Sequence, residues 1–203
     1  MTTPRKAAGT RRTDNPIPKS HKTALVVIPP KECWPPVQAL RERYDARLLR
    51  WMPHLSLLYP FAPPDQWERL FPRLIRVCSG LAPFTVRLSR FGHFKHDGGG
   101  FSIWVAPEDP LPLAHLHREL LWAAPGYRDT ASFAGGFQPH LSLGQVARRA
   151  SLAKLMEQFQ QDWQPLEFEV RQVLLLRRGD PPEDSFGVVR GFALGAGAEG
   201  DGA

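Results

Sequence analysis

Hydrophobic and polar residues follow two periods along this chain, and each period predicts one kind of element. Apolar residues that alternate with polar ones, or short β-branched runs closed by Pro or Gly, predict strands. Apolar residues three or four positions apart predict helices. The predicted strands are Thr23 to Ile28, His54 to Pro60, Phe84 to Phe94, Phe101 to Val105, His140 to Val146, Leu166 to Leu176 and Phe186 to Leu194. The predicted helices are Pro36 to Arg50, Asp65 to Cys78, Leu111 to Leu121 and a fourth, capped by Ser151, that ends near Trp163.

Two of these strands carry the same five residues, Pro-His-Leu-Ser-Leu, at positions 53–57 and 139–143. Side chains alternate between the faces of a strand, so His54 and Ser56 share one face and the leucines share the other. The same holds for His140 and Ser142. Each strand is therefore anchored by its leucines and presents an imidazole and a hydroxyl on its opposite face.

The order of the elements predicts two similar halves. A helix, a motif strand, a helix and two strands occur twice, and the first set is preceded by one extra strand. The two histidines are 86 residues apart, about half of the ordered region. We expect an α+β fold with two pseudo-symmetric lobes, each packing helices against an antiparallel sheet, over residues 21–194. The motif strands would meet at the cleft between the lobes, where ligands usually bind.

The net charge of +6 is concentrated at one end of the chain. Residues 1–22 contain six basic residues and one acidic residue, whereas the rest is nearly balanced. We expect residues 1–20 to form a disordered basic tail that can assist polyanion binding, and residues 195–203 to form a second disordered tail. A solvated terminus without a binding role is the alternative.

The remaining composition is typical of a soluble protein. No apolar run approaches the roughly 18 residues that cross a bilayer, and the N-terminus lacks a hydrophobic signal region. The two cysteines, Cys33 and Cys78, have no disulfide or metal-site spacing. These features predict a monomer in the cytosol or nucleus that binds no membrane.

Two histidines that face one cavity suit general acid–base catalysis, because one can remove a proton while the other donates one. Serine hydroxyls two residues away can donate hydrogen bonds to an anion held between the imidazoles. In a phosphate ester the serines would stabilise the non-bridging oxygens. No metal or cofactor is required by this chemistry, and the spacing of a zinc hydrolase motif is absent from the sequence.

The duplicated motif resembles the signature of the 2H phosphoesterase superfamily, which includes 2′-5′ RNA ligase-like proteins and cyclic phosphodiesterases. The similar segments are 51–61 and 137–144. The resemblance implies a bilobal fold, His54 and His140 as the acid–base pair, and Ser56 and Ser142 as phosphate binders. It also implies hydrolysis or transfer at 2′,5′- or 2′,3′-cyclic phosphate linkages of RNA or nucleotides. Several such relatives have Arg or Lys after the glycine of the second motif, where this chain has Gln145.

Four further residues are candidates for substrate contact. Tyr59, Phe61 and Trp104 could stack a base, although core packing is the alternative role for each aromatic side chain. Gly144 would leave room for a ligand on the site face, or would mark a β-bulge. The other histidines have no partner in the sequence pattern; His115 and His117 are two residues apart on a predicted helix and do not face each other.

Two other classes of function remain open at this stage. One is a non-catalytic module that binds RNA or nucleotides through the same fold. The other is an interaction scaffold whose basic tail recruits a partner. Tight binding without turnover would identify the first, and loss of association after deletion of residues 1–20 would identify the second.

Overall fold

The computed structural model describes residues 17–132, 135–147 and 149–195, with backbone alone for residues 149–151. Most of the two predicted tails and the side chain of Ser151 lie outside the described residues. The strands are β1 Thr23–Val27, β2 Leu55–Leu58, β3 Phe84–Lys95, β4 Phe101–Pro107, β5 Leu141–Val146, β6 Leu166–Val170, β7 Gln172–Arg178 and β8 Phe186–Ala193. The α-helices of the described residues are α1 Trp34–Tyr44, α2 Trp67–Ser79, α3 Leu111–Ala123 and α4 Arg149–Asp162.

All eight strands belong to one curled antiparallel sheet, in the order β6-β3-β4-β5-β2-β1-β7-β8. The motif strands β2 and β5 lie next to each other at its centre. Each continues outward through one inner strand, a further strand and an edge strand, so β5-β4-β3-β6 matches β2-β1-β7-β8. The predicted α+β class and the meeting of the motif strands are confirmed.

The two halves of the sheet do not follow the two halves of the sequence. Strands β3 and β4 are the next two strands after the first motif along the chain, yet they belong to the half of the sheet that contains the second motif. Helices are distributed in the same way: α1 and α4 contact the β5 half, whereas α2 and α3 contact the β2 half. The simple doubling of the element order therefore identified the symmetry but not the partners within each half.

Three predicted elements have boundaries that differ from those in the structure. The predicted strand Leu166 to Leu176 is two strands, β6 and β7, which separate at Arg171 and run to opposite sides of the sheet. The predicted helix Pro36 to Arg50 ends at Tyr44 because the chain then turns back over the helix. Helix α4 begins at Arg149, so Ser151 lies inside it and is not its cap.

Strand β1 is buried on both faces, which explains its continuous apolar sequence. Leu25 and Val27 pack into the main core beneath the helices, whereas Ala24 and Val26 pack into a smaller cluster on the opposite face. That cluster includes Phe186 and the partly buried Trp51, so the face that carries the motif histidines also has its own apolar support.

Residues 17–20, the described part of the predicted N-terminal tail, lie against the domain. Ser20 forms an isolated antiparallel bridge with Phe61. The Lys19 ammonium pairs with the Asp129 carboxylate at 2.5 Å. The contacts of the domain therefore begin before His21.

Candidate active site

The motif strands are joined in an antiparallel register that brings their polar side chains together. Leu55 is paired with Leu141. Extending this register by one residue in each direction places Ser142 opposite His54 and His140 opposite Ser56. Each histidine thus faces the serine of the other motif, and the two histidines are diagonal neighbours, whose Cα atoms are about 7–8 Å apart in an antiparallel pair.

Both imidazoles are held in the same way by the chain that precedes them. The Nδ1 atom of His54 lies 2.7 Å from the carbonyl oxygen of Met52, and Nδ1 of His140 lies 2.7 Å from the carbonyl oxygen of Gln138. A carbonyl only accepts hydrogen bonds, so Nδ1–H is the donor and the proton of the neutral ring is fixed there. Within the described residues neither Nε2 atom has a hydrogen-bond partner, which leaves both able to exchange a proton with a substrate.

His54 lies in an aromatic and basic environment. Its ring stacks on Trp51 with centroids 4.6 Å apart, and Trp51 in turn stacks on Phe186 at 3.5 Å. Burial lowers the pKa of His54 to about 4; the nearby Arg41 guanidinium and His140 act in the same direction, and the Met52 carbonyl opposes them. His54 is therefore a neutral imidazole at pH 7.

Arg41 fixes the segment that leads into the first motif. Its side chain is 2 % exposed, and its guanidinium pairs with the Asp45 carboxylate at 2.9 Å. It also donates to the carbonyl oxygen of Trp51 at 2.7 Å. These bonds fold residues 45–51 back over α1 and set the position of Trp51 beneath His54. Sequence reasoning missed this role, because a single Arg in a helix carries no sign of what it contacts.

His140 has different neighbours from His54. The edge of its ring meets Phe94 with centroids 5.0 Å apart, and Trp104 lies at 5.9 Å. Burial lowers the pKa of His140 as well, and the Gln138 carbonyl opposes that shift. Burial thus favours the neutral form of both imidazoles, but His54 is supported by the loop after α1 and His140 by the β3–β4 hairpin.

A cavity of about 640 Å³ opens beside the motif strands. It is formed by the motif strands, by the tip of the β3–β4 hairpin and by the segment before β5. The described residues that line it are Ser56, His93, Phe94, Lys95, His96, Thr130, Gly135, Gly136, Phe137, Gln138 and His140. The cavity therefore combines an aromatic wall with the imidazole of one motif and the hydroxyl of the other.

Tyr59 and Phe61 do not line this cavity. The Tyr59 hydroxyl donates to the carbonyl oxygen of His21 at 3.3 Å, and its ring packs edge-on against Trp51. Phe61 is fully buried and packs against Tyr127 with ring centroids 4.8 Å apart. A side chain without exposed surface cannot touch a substrate, so the structure assigns Phe61 to the core and corrects the sequence expectation.

Gly144 marks a β-bulge rather than room for a ligand. Ser142 is paired with Trp104, but Gly144 is paired with the buried Ile103, so the strand alternation changes between them. Gly144 has φ +147°, and a Cβ atom there would overlap the backbone of Tyr44. The glycine thus allows α1 to approach β5, and Gln145 takes the site face instead.

Trp104 remains close to the predicted site. Its ring covers Gly92 on the neighbouring strand, where any Cβ atom would overlap the indole. It also packs against Phe94 at 5.3 Å, and within the described residues its indole N–H has no hydrogen-bond partner. Trp104 therefore supports the aromatic wall beside His140.

The segment between α3 and β5 contributes Thr130 and Phe137 to the cavity. The Thr130 hydroxyl donates to the carbonyl oxygen of Leu57 at 2.7 Å and lies 3.1 Å from Nε2 of His117. His117 is buried and stacks on Phe137 at 3.9 Å. Burial lowers the pKa of His117 to about 4. No periodic pattern marks this segment, so the sequence gives no signal for these contacts.

No helix within residues 17–132, 135–147 and 149–195 has the length and apolar content to cross a membrane. In the same ranges, no three His, Cys, Asp or Glu side chains group in a way that could hold a metal ion.

The family model of the 2′-5′ RNA ligase superfamily matches residues 29–182, which contain both motifs. The chain belongs to this superfamily. A Geobacillus kaustophilus protein described as a "putative phosphoesterase" is 27% identical to it over 140 residues, covering 68% of this chain and 76% of the relative. A Bacillus cytotoxicus protein with the same description is 27% identical over 138 residues, covering 66% and 76%.

Solved structures of other proteins share the fold of this chain. TT0787 of Thermus thermophilus has a TM-score of 0.62 at 18% identity, covering 85% of this chain and 97% of its own. Escherichia coli LigT complexed with 3′-AMP has a TM-score of 0.60 at 17% identity, covering 87% and 99%. At these identities the likeness shows a shared fold. Superfamily membership supports an enzyme of the phosphoesterase class.

Proposed function

We propose that this protein is a phosphoesterase that cleaves 2′,5′- or 2′,3′-cyclic phosphodiester linkages of RNA ends or nucleotides, with His54 and His140 as its acid–base pair. The observation that carries this proposal is the shared geometry of the two imidazoles. Both rings have Nδ1 fixed by a backbone carbonyl at 2.7 Å, on strands that pair directly. Both Nε2 atoms are thereby prepared for proton transfer on opposite sides of one phosphate.

The proposed reaction follows from this arrangement. In hydrolysis of a cyclic phosphate, water attacks phosphorus, and its proton passes to Nε2 of one histidine. The bond from phosphorus to one ribose oxygen breaks, and the second histidine, protonated at Nε2, gives its proton to that oxygen. The bound phosphate anion favours the imidazolium that this step requires, because an opposite charge raises the pKa of a nearby imidazole.

Ser56 and Ser142 are proposed to donate hydrogen bonds to the non-bridging phosphate oxygens. The register places each hydroxyl opposite the histidine of the other motif, so a phosphate between the imidazoles would lie within reach of both. Donors prepared for developing charge stabilise the transition state more than the ground state. Of the remaining residues predicted to contact the substrate, Trp104 is retained in the proposed site as part of the aromatic wall. Tyr59, Phe61 and Gly144 are excluded from the proposed site.

The ligands of two solved structures of similar fold support a substrate that carries a phosphate. The Escherichia coli LigT structures hold 3′-AMP in one case and phosphate in another. A nucleotide that ends in a phosphate is therefore the ligand class to test first.

The experiment measures turnover of 2′,3′-cyclic nucleotides, an RNA ending in a cyclic phosphate and 2′-5′ oligoadenylate, all in the presence of EDTA. The parent is compared with His54→Ala and His140→Ala, and His115→Ala serves as the control because that histidine is exposed on α3. We expect one class of the panel to be cleaved by the parent and the control alone. Turnover that survives both motif substitutions would overturn the proposal, and tight binding without turnover would indicate a binding module.

The basic N-terminal segment is proposed to steer anionic substrates toward the cytosolic monomer. Its charge excess is the support for this role. Deletion of residues 1–16 should weaken the association of an RNA oligonucleotide at low salt while kcat on a mononucleotide is unchanged. An unchanged rate of association would reject steering, and gel filtration of the same sample tests the monomer.

A further inference from the structure

The cavity has two polar ends separated by aromatic side chains. The inner end contains the motif residues Ser56 and His140. The outer end is formed by the tip of the β3–β4 hairpin, and the hairpin residues that line the cavity there are His93, Phe94, Lys95 and His96. The proposed reaction uses the inner end alone, which leaves the polar groups of the hairpin without a role.

His96 is held on the same face of the sheet as the motif residues. Phe94 is paired with Ser102 across the hairpin, and Ser102 is paired with Gln145 on β5. Paired residues share a face, and so do residues two positions apart in a strand. The Nε2 atom of His96 lies 2.7 Å from the Ser102 hydroxyl, which confirms this side of the sheet for the imidazole.

The distance from His96 to the reacting position suits a second phosphate on one substrate. The Phe94 ring touches the His140 ring, with centroids 5.0 Å apart. A strand advances about 3.3 Å per residue, so His96 lies roughly 7 Å farther along the hairpin than Phe94. A nucleotide whose reacting phosphate lies at His140 can therefore extend along the aromatic wall and reach the hairpin tip.

The charges around the cavity also favour its outer end, at the hairpin tip, as the place for a second phosphate. Among its lining residues in the described part of the chain, Lys95 alone carries a permanent charge. Its backbone is paired with Phe101, so its side chain leaves the strand on the face opposite His96, and its ammonium group would reach the outer end around the exposed hairpin tip. Gln145 is neutral, and its side-chain oxygen accepts a hydrogen bond from the Ala46 backbone N–H at 3.2 Å. The position after the second motif's glycine thus ties β5 to the loop after α1, and the charged residue that borders the cavity belongs to the hairpin.

We propose that His96 and Lys95 form a second phosphate subsite, which selects nucleotides or RNA ends that carry a phosphate beyond the reacting one. This inference rests on the proposed function, because it assumes that the first phosphate lies between the motif histidines. The second phosphate can be the 5′-phosphate of a mononucleotide or the next phosphodiester of an RNA strand. Both offer anionic oxygens to the imidazole and the ammonium group.

The test measures the binding of three ligands by calorimetry: adenosine 3′-monophosphate, adenosine 3′,5′-bisphosphate and the dinucleotide ApAp, which has one internal phosphodiester. The parent protein is compared with the double variant His96→Ala/Lys95→Met. The matched control is His115→Ala/Lys154→Met, since both residues are exposed on helices and neither lines the cavity. These ligands are reaction products, so their binding is measured apart from turnover and does not depend on whether the enzyme is active.

We expect the parent and the control to bind one or both of the two-phosphate ligands about tenfold more tightly than the monophosphate. The double variant should bind all three within about twofold of one another, with its affinity for the monophosphate unchanged. A preference for ApAp over the bisphosphate would identify an RNA strand as the source, and the reverse would identify a mononucleotide. Equal binding of the three ligands by the parent, or an equal loss for all three in the double variant, would overturn the subsite.

Discussion

The two motif histidines have identical sequence contexts and identical backbone hydrogen bonds, but they are supported by different parts of the molecule. His54 rests on Trp51 and lies near the buried Arg41, both within the segment from α1 to β2. His140 meets Phe94 of the β3–β4 hairpin and forms part of the cavity wall. A duplicated motif therefore fixes where the imidazoles lie, whereas their surroundings decide how each one titrates and what it meets.

The largest expected effect comes from removing the pair itself. His54→Ala and His140→Ala should each lower kcat/KM by about 10²–10⁴-fold, because each removes one of the two proton transfers. The double variant should lose little more than either single variant, since groups that act as a unit are non-additive. Steady-state kinetics on the preferred substrate check this. Losses that multiply in the double variant would show that the histidines act independently.

The next effect comes from Arg41, which fixes the segment beside His54 and, among the described residues, has no counterpart beside His140. Arg41→Met would leave the Asp45 carboxylate, which is 8% exposed, buried without its partner. We expect the free energy of unfolding to fall by about 3–5 kcal/mol, as for other broken buried ion pairs. Urea denaturation measures this, with the exposed Arg43→Met on the same helix as the control. If Arg41→Met/Asp45→Asn is no more stable than Arg41→Met alone, the unpaired carboxylate is not the cause.

A smaller effect follows from the lowered pKa of His54. Its value is about 4 in the folded protein against 6.5 for the ordinary group. Between these values the unfolded chain binds a proton at His54 and the folded chain does not, so stability is complete above pH 6.5 and is lost as the pH falls toward 4. Through His54 alone, the free energy of unfolding should be about 2 kcal/mol lower at pH 5 than at pH 7.

Urea denaturation of the parent and of His54→Asn at both pH values checks this contribution. The variant should lose about 2 kcal/mol less than the parent on acidification. His117, whose pKa is also about 4, contributes a loss of the same sign in both proteins. An equal loss in the two proteins would contradict the lowered pKa of His54.

The smallest effect distinguishes the surroundings of His54 from those of His140. Trp51→Leu removes the ring between His54 and Phe186, and should lower the free energy of unfolding by about 1–2 kcal/mol. It should also raise the pKa of His54 toward its ordinary value, with that of His140 unchanged. Phe94→Leu should change the pKa of His140 and leave that of His54 unchanged. Titration of the imidazole signals by NMR measures both, and equal shifts of both histidines in either variant would show that their surroundings are coupled.

The sequence predicted those features that depend on local alternation. Period 2 in the two pentapeptides placed His54 and Ser56 on one face, and the repeat implied that the motif strands meet. The β-bulge at Gly144 was open from sequence, because its cause is the approach of Tyr44 from another element. The break at Arg171 could not be predicted, since both flanking segments have strand patterns and differ only in which distant strand each one pairs with.

The contacts of the cavity wall also could not be predicted from local sequence patterns. Phe94 ends a predicted strand, but its contact with His140 depends on the pairing of β3, β4 and β5. Thr130 and Phe137 lie in a segment without a period, and they reach the cavity because the chain passes beside β2 there. Local patterns specify faces of strands, whereas the contacts of a site depend on which strands become neighbours.

The exchange of strands between the halves has a consequence for how the chain folds. Strands β6, β7 and β8, all after residue 165, supply the outer strands of both halves of the sheet. During synthesis neither half can be completed until the last strands have left the ribosome, and until then β1 and β3 remain open edges that can pair with other chains. Such distant pairings make folding slow and cooperative. The two halves therefore form one folding unit, and a chain shortened before β6 would lose both of them together.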